Sequence, residues 1–542
     1  MKKILSLLLA IVLVFTLMSA CAQPANEPPP AIATSTPSVS NTSEPDAEPV
    51  VHKISILNPV YANLPPDIDV NNNKWTEIFS AEFPNLEIEW ILVPGDDDAY
   101  NERKLLMMGS GDYPDVVKML PQDMTAWADM GLIQPLEAIH DTYYPNVYNF
   151  MTQDDLKTTW YNGQQWGIKT ILNANSNPRH MYMRTDWLDN LGLSMPKTID
   201  ELYDVLYAFT FNDPDQNGVQ DTFGVIGASS NYGFEQMWPI WTSFGVQPDW
   251  WTNVNGQIIP DAIRPEYKEA LGFFRRLWAD GIMDKDTLMV GGAEVEQKGT
   301  QGSVGLFGMW SYGVAVRAYP NMLEANPNAK LEEFLPIPVN GRTMLPLDRN
   351  GGSTYGITIA CDAPEVVLSF FNWLISEDES TAPLYTLNAD KVYLGEIGVN
   401  SIVVGDRFVV EMPQADLSPE ATVDLYRLSY RFHMGTNQGL PNDLLIESNK
   451  ITYDTALAEG RVMHPTIYTA KELTTRHGYT NARVMTGPVY ADKWTDIETH
   501  LKEIIAGIIT GSLPMDAFDS WVEFFYNQGG QDIIDEITAI NS

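Results

Sequence analysis

Residues 52–58 read HKISILN and residues 86–93 read LEIEWILV. Both runs have the length and the β-branched and aromatic content of buried strands. The apolar residues of WTEIFSAEF, residues 75–83, predict a helix between them, and a second helix is predicted over residues 100–108. GSGDYPDVV, residues 109–117, then indicates a loop that leads into a strand. Strands that alternate with amphipathic helices predict an α/β body.

The clearest helix signal lies further along the chain, over Ile199–Phe209. Thr198 is placed to accept a hydrogen bond from the backbone amide of Glu201. The Glu201 carboxylate is placed in turn to accept a hydrogen bond from the backbone amide at the start of the helix. The apolar residues of this segment fall on one helical face: Ile199, Leu202, Val205, Leu206 and Phe209. No internal repeat indicates a solenoid or a propeller.

The first residues carry the three parts of a secretory signal, which we assign to residues 1–20. Lys2 and Lys3 precede an apolar run over 4–17, a run that is short for a membrane-spanning helix. Ser19 and Ala20 then stand directly before Cys21. This order resembles a lipobox, in which Cys21 receives a diacylglyceryl group and becomes the first residue of the mature protein.

Met18 departs from this pattern, since relatives more often carry Leu there. Acyl chains such as palmitate on Cys21 would hold the protein on the outer face of the cell membrane. The alternative is an ordinary secretory signal cleaved near Ala20, with Cys21 incidental.

Ala22 to Val50 is rich in Pro, Ser, Thr, Ala and Glu and contains no Lys or Arg. Because such a stretch cannot bury enough apolar surface to fold, residues 21–50 are predicted to be a lipidated Cys and a disordered tether. A disordered tail without a role is the other interpretation.

Residues 51–542 form a body too long for one ordinary core, which favours two lobes. No later apolar run is long enough to cross a bilayer, so a soluble body is expected.

The net charge of −38 argues against nucleic acid as a partner. It also disfavours an acidic polymer as ligand unless a local basic cleft overrides the global sign. Cys361 is the only other Cys, so an intramolecular disulfide and a Cys-based metal site are excluded, and we expect a small buried residue there.

Several short motifs, weak alone, occur in an order and spacing that resemble the family 1 extracellular solute-binding proteins. The resemblance covers nearly the whole mature chain. Its length, and the loop after the Thr198 helix, are similar to the large lipoproteins of complex-saccharide importers, including the alginate-binding type. The matching segments are residues 111–117, YNGQQWGI at 161–168, MRTDWLDNLGL at 183–193 with Pro196 and Thr198, 305–310, 355–359, FNWL at 371–374 and the tail over 511–540.

The resemblance implies a two-lobed α/β fold of the type 2 periplasmic-binding-protein kind, with a hinge and a ligand cleft between the lobes. We expect lobe one over 51–170 and 345–410, and lobe two over 175–340 and 415–542. It further implies a monomeric, non-enzymatic protein at the extracellular face. This protein would capture an oligosaccharide and deliver it to the transmembrane subunits of an ABC permease.

The loop DPDQNGVQD over residues 213–221 is the one segment whose spacing predicts a metal site. Oxygen-bearing side chains at relative positions one, three, five and nine surround a Gly at position six, and calcium prefers such oxygen ligands. Position twelve is Gly224, where an EF-hand requires Glu, so the loop is not an EF-hand. Relatives with the same opening are implied to hold a structural calcium, although Thr222 lacks the carboxylate often found there. A solvated turn is the alternative. The candidate ligands are Asp213, Asp215, Asn217, the Val219 carbonyl, Asp221 and Thr222.

The ligand cleft has no fixed spacing, because aromatic rings pack on the apolar face of a sugar while polar side chains bind its hydroxyls. The chain has 15 Trp, which is ample material. For each candidate an ordinary core position is the alternative, and Trp187 and Trp373 are assigned to the core because they lie on helical patterns. The resemblance nominates Trp166, Asn177, Arg179, Tyr182, Trp238, Trp241, Trp310, Tyr312 and Tyr355.

Signatures of catalysis are missing from the sequence. The seven His form neither an H-x-x-x-H nor an H-E-x-x-H pair, and no G-x-S-x-G elbow occurs. Two acidic residues that meet in space could still hydrolyse a glycoside, since 71 are present. A secreted polysaccharide hydrolase and a surface adhesion or structural lipoprotein therefore stay open as alternatives. Release of sugar on incubation would favour the first, whereas neighbouring permease genes would favour transport over adhesion.

Overall fold

The part of the chain from Val50 to Ser542 is one compact unit. Within the described residues, no helix has both the length and the apolar character needed to span a bilayer. The signal, Cys21 and the tether lie outside the described residues, as does Asn177. The computed structural model describes residues 50–60, 69, 71–72, 74–94, 97–149, 151, 153–169, 178–227, 235–346, 354–374, 401–404, 407–410 and 442–541.

Strands and helices alternate through the first part of the chain. The elements up to residue 169 are β1 His52–Val60, α1 Lys74–Glu82, β2 Leu86–Pro94, α2 Asp97–Ser110, β3 Val116–Met119, α3 Pro121–Met130, α4 His140–Tyr143, α5 Gln153–Leu156, β4 Trp160–Tyr161, β5 Gln164–Gln165 and β6 Ile168–Lys169.

The second part begins with β7 and ends in long helices. Its elements are β7 Arg179–Arg184, α6 Thr185–Leu191, α7 Ile199–Phe211, β8 Phe223–Ile226, α8 Trp238–Ser243, β9 Trp251–Val254, β10 Gln257–Pro260, α9 Pro265–Ala279, α10 Gly292–Gln301, β11 Val304–Trp310, α11 Ser311–Gly313, α12 Tyr319–Ala325, β12 Leu331–Phe334, β13 Leu345–Pro346, β14 Thr354–Ile357, α13 Pro364–Leu374, β15 Ser401–Val404, β16 Arg407–Val410, α14 Asn442–Ala458, α15 Thr466–His477, β17 Gly478–Tyr479, α16 Pro488–Thr510, α17 Ala517–Asn527 and α18 Gly530–Asn541.

The predicted strands and helices are confirmed, with ends that differ by a few residues. The Thr198 hydroxyl accepts a hydrogen bond from the Glu201 amide over 3.1 Å, as the capping pattern predicts. The predicted reply differs, because the Glu201 carboxylate accepts from the amide of Lys197 over 2.7 Å rather than from Thr198 itself. The Glu201 carboxylate therefore binds the amide one residue before the predicted one, and it still satisfies a backbone amide next to the start of the helix.

The first sheet has the strand order β2-β1-β3-β14-β6. β1 runs parallel to β2 and β3, while β14 runs antiparallel to β3 and β6. Ile56 packs on one face of this sheet with Phe371 of α13, whereas Leu57 packs on the other face with Tyr100 of α2. Both faces are covered, which explains why apolar residues follow one another directly at Ile56 and Leu57 of β1 and along Trp90 to Val93 of β2. Trp373 and Cys361 are buried in the same lobe, as expected.

The second sheet has the order β12-β7-β11-β8. β7 pairs antiparallel with β11 and β12, and β11 pairs parallel with β8. Its main core joins Met181 and Met183 of β7 to apolar residues of α7, α9 and the C-terminal helices α16 to α18. Trp187 is fully buried there, which confirms its assignment to the core. The two sheets thus have separate cores, and each belongs to its own lobe.

Two of the passages of the chain between the lobes connect strands of the two sheets. The chain leaves β6 of the first sheet at Lys169 and enters β7 of the second sheet at Arg179. It returns between β13, which ends at Pro346, and β14 of the first sheet, which begins at Thr354. The strand ends that flank these crossovers therefore mark the boundary between the lobes, where a binding cleft of this fold class is expected.

Candidate functional site

The exposed Trp310 and the half-buried Arg179 form a pair at the first crossover. Arg179 begins β7, Trp310 ends β11, and the two residues lie opposite each other in the antiparallel register. The Arg179 guanidinium carbon lies 3.9 Å from the centre of the Trp310 ring, a cation–π contact that fixes one face of the indole. Trp310 is nevertheless 44% exposed. This arrangement offers a positioned aromatic surface together with hydrogen-bond donors beside it.

The helix that follows Trp310 extends this surface. Tyr312 lies in its first turn and is 45% exposed. Residues Val314–Ala318 continue as a π-helical turn between α11 and α12. Such turns displace the side chains around them from regular helical spacing and occur often at functional sites. Trp310, Tyr312 and Arg179 are thus the predicted ligand residues that the structure brings together at an open surface.

Other residues nominated for the ligand site lie in the protein interior. Tyr182 is fully buried, and its hydroxyl lies 3.0 Å from the hydroxyl of Thr466. Trp241 is fully buried and packs 4.6 Å from the ring of Phe274. Tyr355 is buried and donates to the side-chain oxygen of Asn58 over 3.0 Å. Their rings are enclosed by packing partners, so they support the cores rather than offering a face to a ligand.

Trp166 and Trp238 are also buried. The Trp166 indole N–H donates to the Tyr161 carbonyl over 3.0 Å, so this polar atom is satisfied within the first lobe. Trp238 packs edge-to-face on His180 with ring centres 6.1 Å apart. Burial, together with the positive charge of Lys471, lowers the pKa of His180 to about 4. His180 is therefore neutral at physiological pH, and the Trp238 position serves packing in this conformation.

Trp160 and Tyr479 are exposed aromatic residues that the sequence analysis did not nominate. Trp160 is 37% exposed on the β4–β5 hairpin, whose turn residues Asn162 and Gly163 have φ values of 49° and 77°. An Asn-Gly pair between short strands is a strong hairpin signal, so this feature was accessible from the sequence. Tyr479 is 40% exposed and stacks on Trp250, a contact between distant segments that no local pattern reveals.

The acidic loop after α7 turns tightly, as its composition predicts. Gly218 has φ of 79°, a left-handed conformation that favours glycine. The Asp213 carboxylate accepts hydrogen bonds from the backbone amides of Asn217 over 3.0 Å and Gly218 over 3.1 Å. The Asn217 side-chain amide donates to Asp215 over 2.8 Å and lies 3.3 Å from an Asp221 oxygen. The acidic side chains are therefore gathered around one amide group.

The electrostatics of this loop favour a cation. Burial raises the pKa of Asp215, and the neighbouring carboxylates of Asp213 and Asp221 raise it further. The Asp215 Oδ1 atom is buried and has no hydrogen-bond partner. No cluster of three or more His, Cys, Asp or Glu side chains suited to a metal occurs among the described residues. The unpartnered oxygen fits a cation ligand, since an unsatisfied buried acceptor is otherwise costly.

Val219 and Thr222 have different places in this loop. The Val219 side chain is 56% exposed, and its amide donates to the Asn217 side-chain oxygen over 2.6 Å. The Thr222 hydroxyl donates to the Phe209 carbonyl over 2.8 Å and is buried. The Thr222 side chain is thus engaged with α7 and does not face the acidic cluster.

Comparison with known proteins decides the family. The model of the bacterial extracellular solute-binding proteins matches residues 69–380. The chain is a bacterial extracellular solute-binding protein. The family resemblance predicted from the sequence motifs is confirmed, and with it the two-lobed α/β fold.

Three proteins illustrate what this solute-binding protein is similar to. It is 32% identical to lipoprotein LipO of Bacillus subtilis over 42% of this chain and 44% of LipO. It is 25% identical to the polygalacturonan/rhamnogalacturonan-binding protein YtcQ of Bacillus subtilis, over 89% of this chain and 90% of YtcQ. The solved structure of the Streptococcus pneumoniae ABC-transporter substrate-binding protein FusA with kestose has a TM-score of 0.62 and 19% identity, covering 90% of this chain and 98% of that chain. Another solved FusA structure is an EF-hand mutant in complex with fructo-nystose. The match to LipO spans less than half of that relative's length.

Proposed function

We propose that this solute-binding protein captures an oligosaccharide between its lobes and delivers it unchanged to the transmembrane subunits of an ABC permease. The observation that carries this proposal is the exposed Trp310 ring, held by Arg179 at the first crossover between the lobes. An aromatic face binds the apolar C–H face of a pyranose, and the guanidinium donates to its hydroxyls. The substrates named for YtcQ and FusA, which are both carbohydrates, support the same class of ligand.

We further propose that the mature protein is anchored by lipid on Cys21 at the extracellular face of the cell membrane. The proposal rests on the order of charged, apolar and small residues before Cys21 in the sequence. The similarity to a protein described as a lipoprotein supports it. An anchored binding protein stays close to the permease that receives its ligand, which raises its effective concentration there.

The acidic loop is proposed to hold a structural calcium ion. Asp213, Asp215, Asn217 and Asp221 would supply side-chain oxygens, with the Val219 carbonyl as a further ligand. The unpartnered Asp215 oxygen and the mutual repulsion of the carboxylates support the proposal, as does the EF-hand of FusA. The calcium would stabilise the turn that joins α7 to β8, and it has no part in the binding step.

Calorimetry with a panel of oligosaccharides tests the binding proposal. The panel contains oligogalacturonides, rhamnogalacturonan fragments and kestose, and thermal shift selects the members that stabilise the folded state. A member that binds should be recovered unchanged by chromatography. Its binding should also reduce the radius of gyration in small-angle scattering, because a ligand that bridges both lobes favours the closed state. Cleaved ligand would instead establish a hydrolase, and no binding by any member would refute carbohydrate capture from these classes.

A further inference from the structure

A second exposed aromatic pair lies in the second lobe, away from Trp310. The rings of Trp250 and Tyr479 stack with centres 6.4 Å apart and planes inclined by 29°. Tyr479 is 40% exposed and Trp250 is half-buried. These two nearly parallel and partly exposed rings form an aromatic pair at the surface of the second lobe.

Hydrogen bonds hold the backbone that presents Trp250. Asp249 has φ of 61°, in the left-handed region that aspartate adopts more readily than most residues. The Arg483 guanidinium donates to the Asp249 carboxylate over 2.8 Å and to its carbonyl over 3.3 Å. The Asn481 side chain accepts from the Trp251 amide over 3.1 Å. These contacts on both sides of Trp250 fix the direction of the backbone from which its ring projects.

The pair stands at the second crossover between the lobes. Tyr479 of β17 lies opposite Pro346 of β13 in a parallel register. β13 is the element from which the chain leaves the second lobe for β14 of the first sheet. Tyr479 therefore lies beside the second crossover, as Trp310 lies beside the first, and Trp250 stacks on Tyr479.

We infer that Trp250 and Tyr479 form a second aromatic subsite of the ligand cleft, which receives a further sugar ring of an oligosaccharide chain. The inference rests on the proposed carbohydrate function. The stacked rings supply the apolar platform, and the Asp249 carboxylate, which is 43% exposed, supplies an acceptor for sugar hydroxyls beside it. Two platforms at two crossovers favour a ligand of several sugar units over a monosaccharide.

The test compares short and long ligands of one chemistry. Calorimetry measures the affinity of galacturonan di-, tetra- and hexasaccharides, and separately of a fructan series, for the wild type and for Trp250→Ala and Tyr479→Ala. Both variants should weaken the longest bound ligand about tenfold and leave the shortest unchanged, because only a long chain reaches the second platform. Trp310→Ala should weaken every length.

Two controls separate the possible causes. Tyr479→Phe keeps the ring and should retain the affinity for long ligands, and melting temperatures check that each variant folds. Equal losses at every length, or no loss with the longest ligand, would overturn the second subsite while leaving carbohydrate binding intact. A wild type that binds no member of either series would instead refute the proposed function, and this inference would fall with it.

Discussion

Removal of the Trp310 ring should weaken ligand binding without unfolding the protein. A Trp side chain buries up to about 250 Å². Because 44% of Trp310 is exposed, a ligand can cover about 110 Å² of it, worth at most ~2.7 kcal/mol at about 25 cal/mol per Å². Arg179 already covers one face of the ring, so the binding free energy gained depends on how much of the other face the ligand covers. Trp310→Ala should therefore cost about 1 to 2.7 kcal/mol of binding free energy, or roughly 5- to 100-fold in Kd.

Isothermal titration calorimetry on a bound oligosaccharide measures this loss. Tyr207→Ala is the matched control, because Tyr207 is 45% exposed on α7 and flanks neither crossover. The control should bind like the wild type, and both variants should melt near the wild-type temperature, since neither side chain belongs to a core. Unchanged affinity of Trp310→Ala, or an equal loss in Tyr207→Ala, would refute the assignment of Trp310 to the ligand site.

Three further predictions concern the metal, the anchor and the pH dependence. Chelation of calcium should lower the melting temperature of the wild type, because the ion binds the native loop and hardly the unfolded one. Asp215→Asn should have the same melting temperature with and without chelator. A wild type whose melting temperature does not change on chelation, and which is shown to be metal-free, would contradict the calcium site. Cys21→Ser should appear in the culture medium on immunoblots, and its retention in the membrane fraction would count against lipidation. His180 has a folded-state pKa of about 4, below its unfolded value, so the stability it contributes is present above about pH 6.5 and is lost as the pH falls. Between pH 7 and pH 5 this loss amounts to about 2 kcal/mol in the free energy of unfolding. Urea denaturation should show the loss in the wild type and not in His180→Gln. If the free energy of unfolding falls equally with pH in both proteins, His180 is not responsible.

Local patterns were sufficient wherever a short segment decides its own structure. The strand over His52–Val60 and the helix over Ile199–Phe211 follow from the spacing of their apolar residues, and the Thr198 cap follows from one hydroxyl next to one amide. The turn at Asp213 to Asp221 follows likewise, because Gly218 permits the left-handed backbone that gathers the carboxylates. These features depend on neighbours within a few residues, which the sequence states directly.

The exposure of each aromatic residue was decided only by the tertiary structure. Tyr182 and Trp310 both lie on strands of the second sheet, yet Tyr182 is fully buried and Trp310 is 44% exposed. The difference arises because Thr466, from a helix far along the chain, packs over Tyr182, while Trp310 stands at a strand end beside a crossover. Trp250 and Tyr479 meet through non-local contacts as well, since the segment after Tyr479 is held next to Trp250 by the hydrogen bond from the Trp251 amide to Asn481. Burial depends on which distant segments pack together, and a local sequence pattern does not contain that information. The sequence by itself therefore determined the family and the strands and helices of each lobe. Only the tertiary structure decided which aromatic rings are exposed to a ligand.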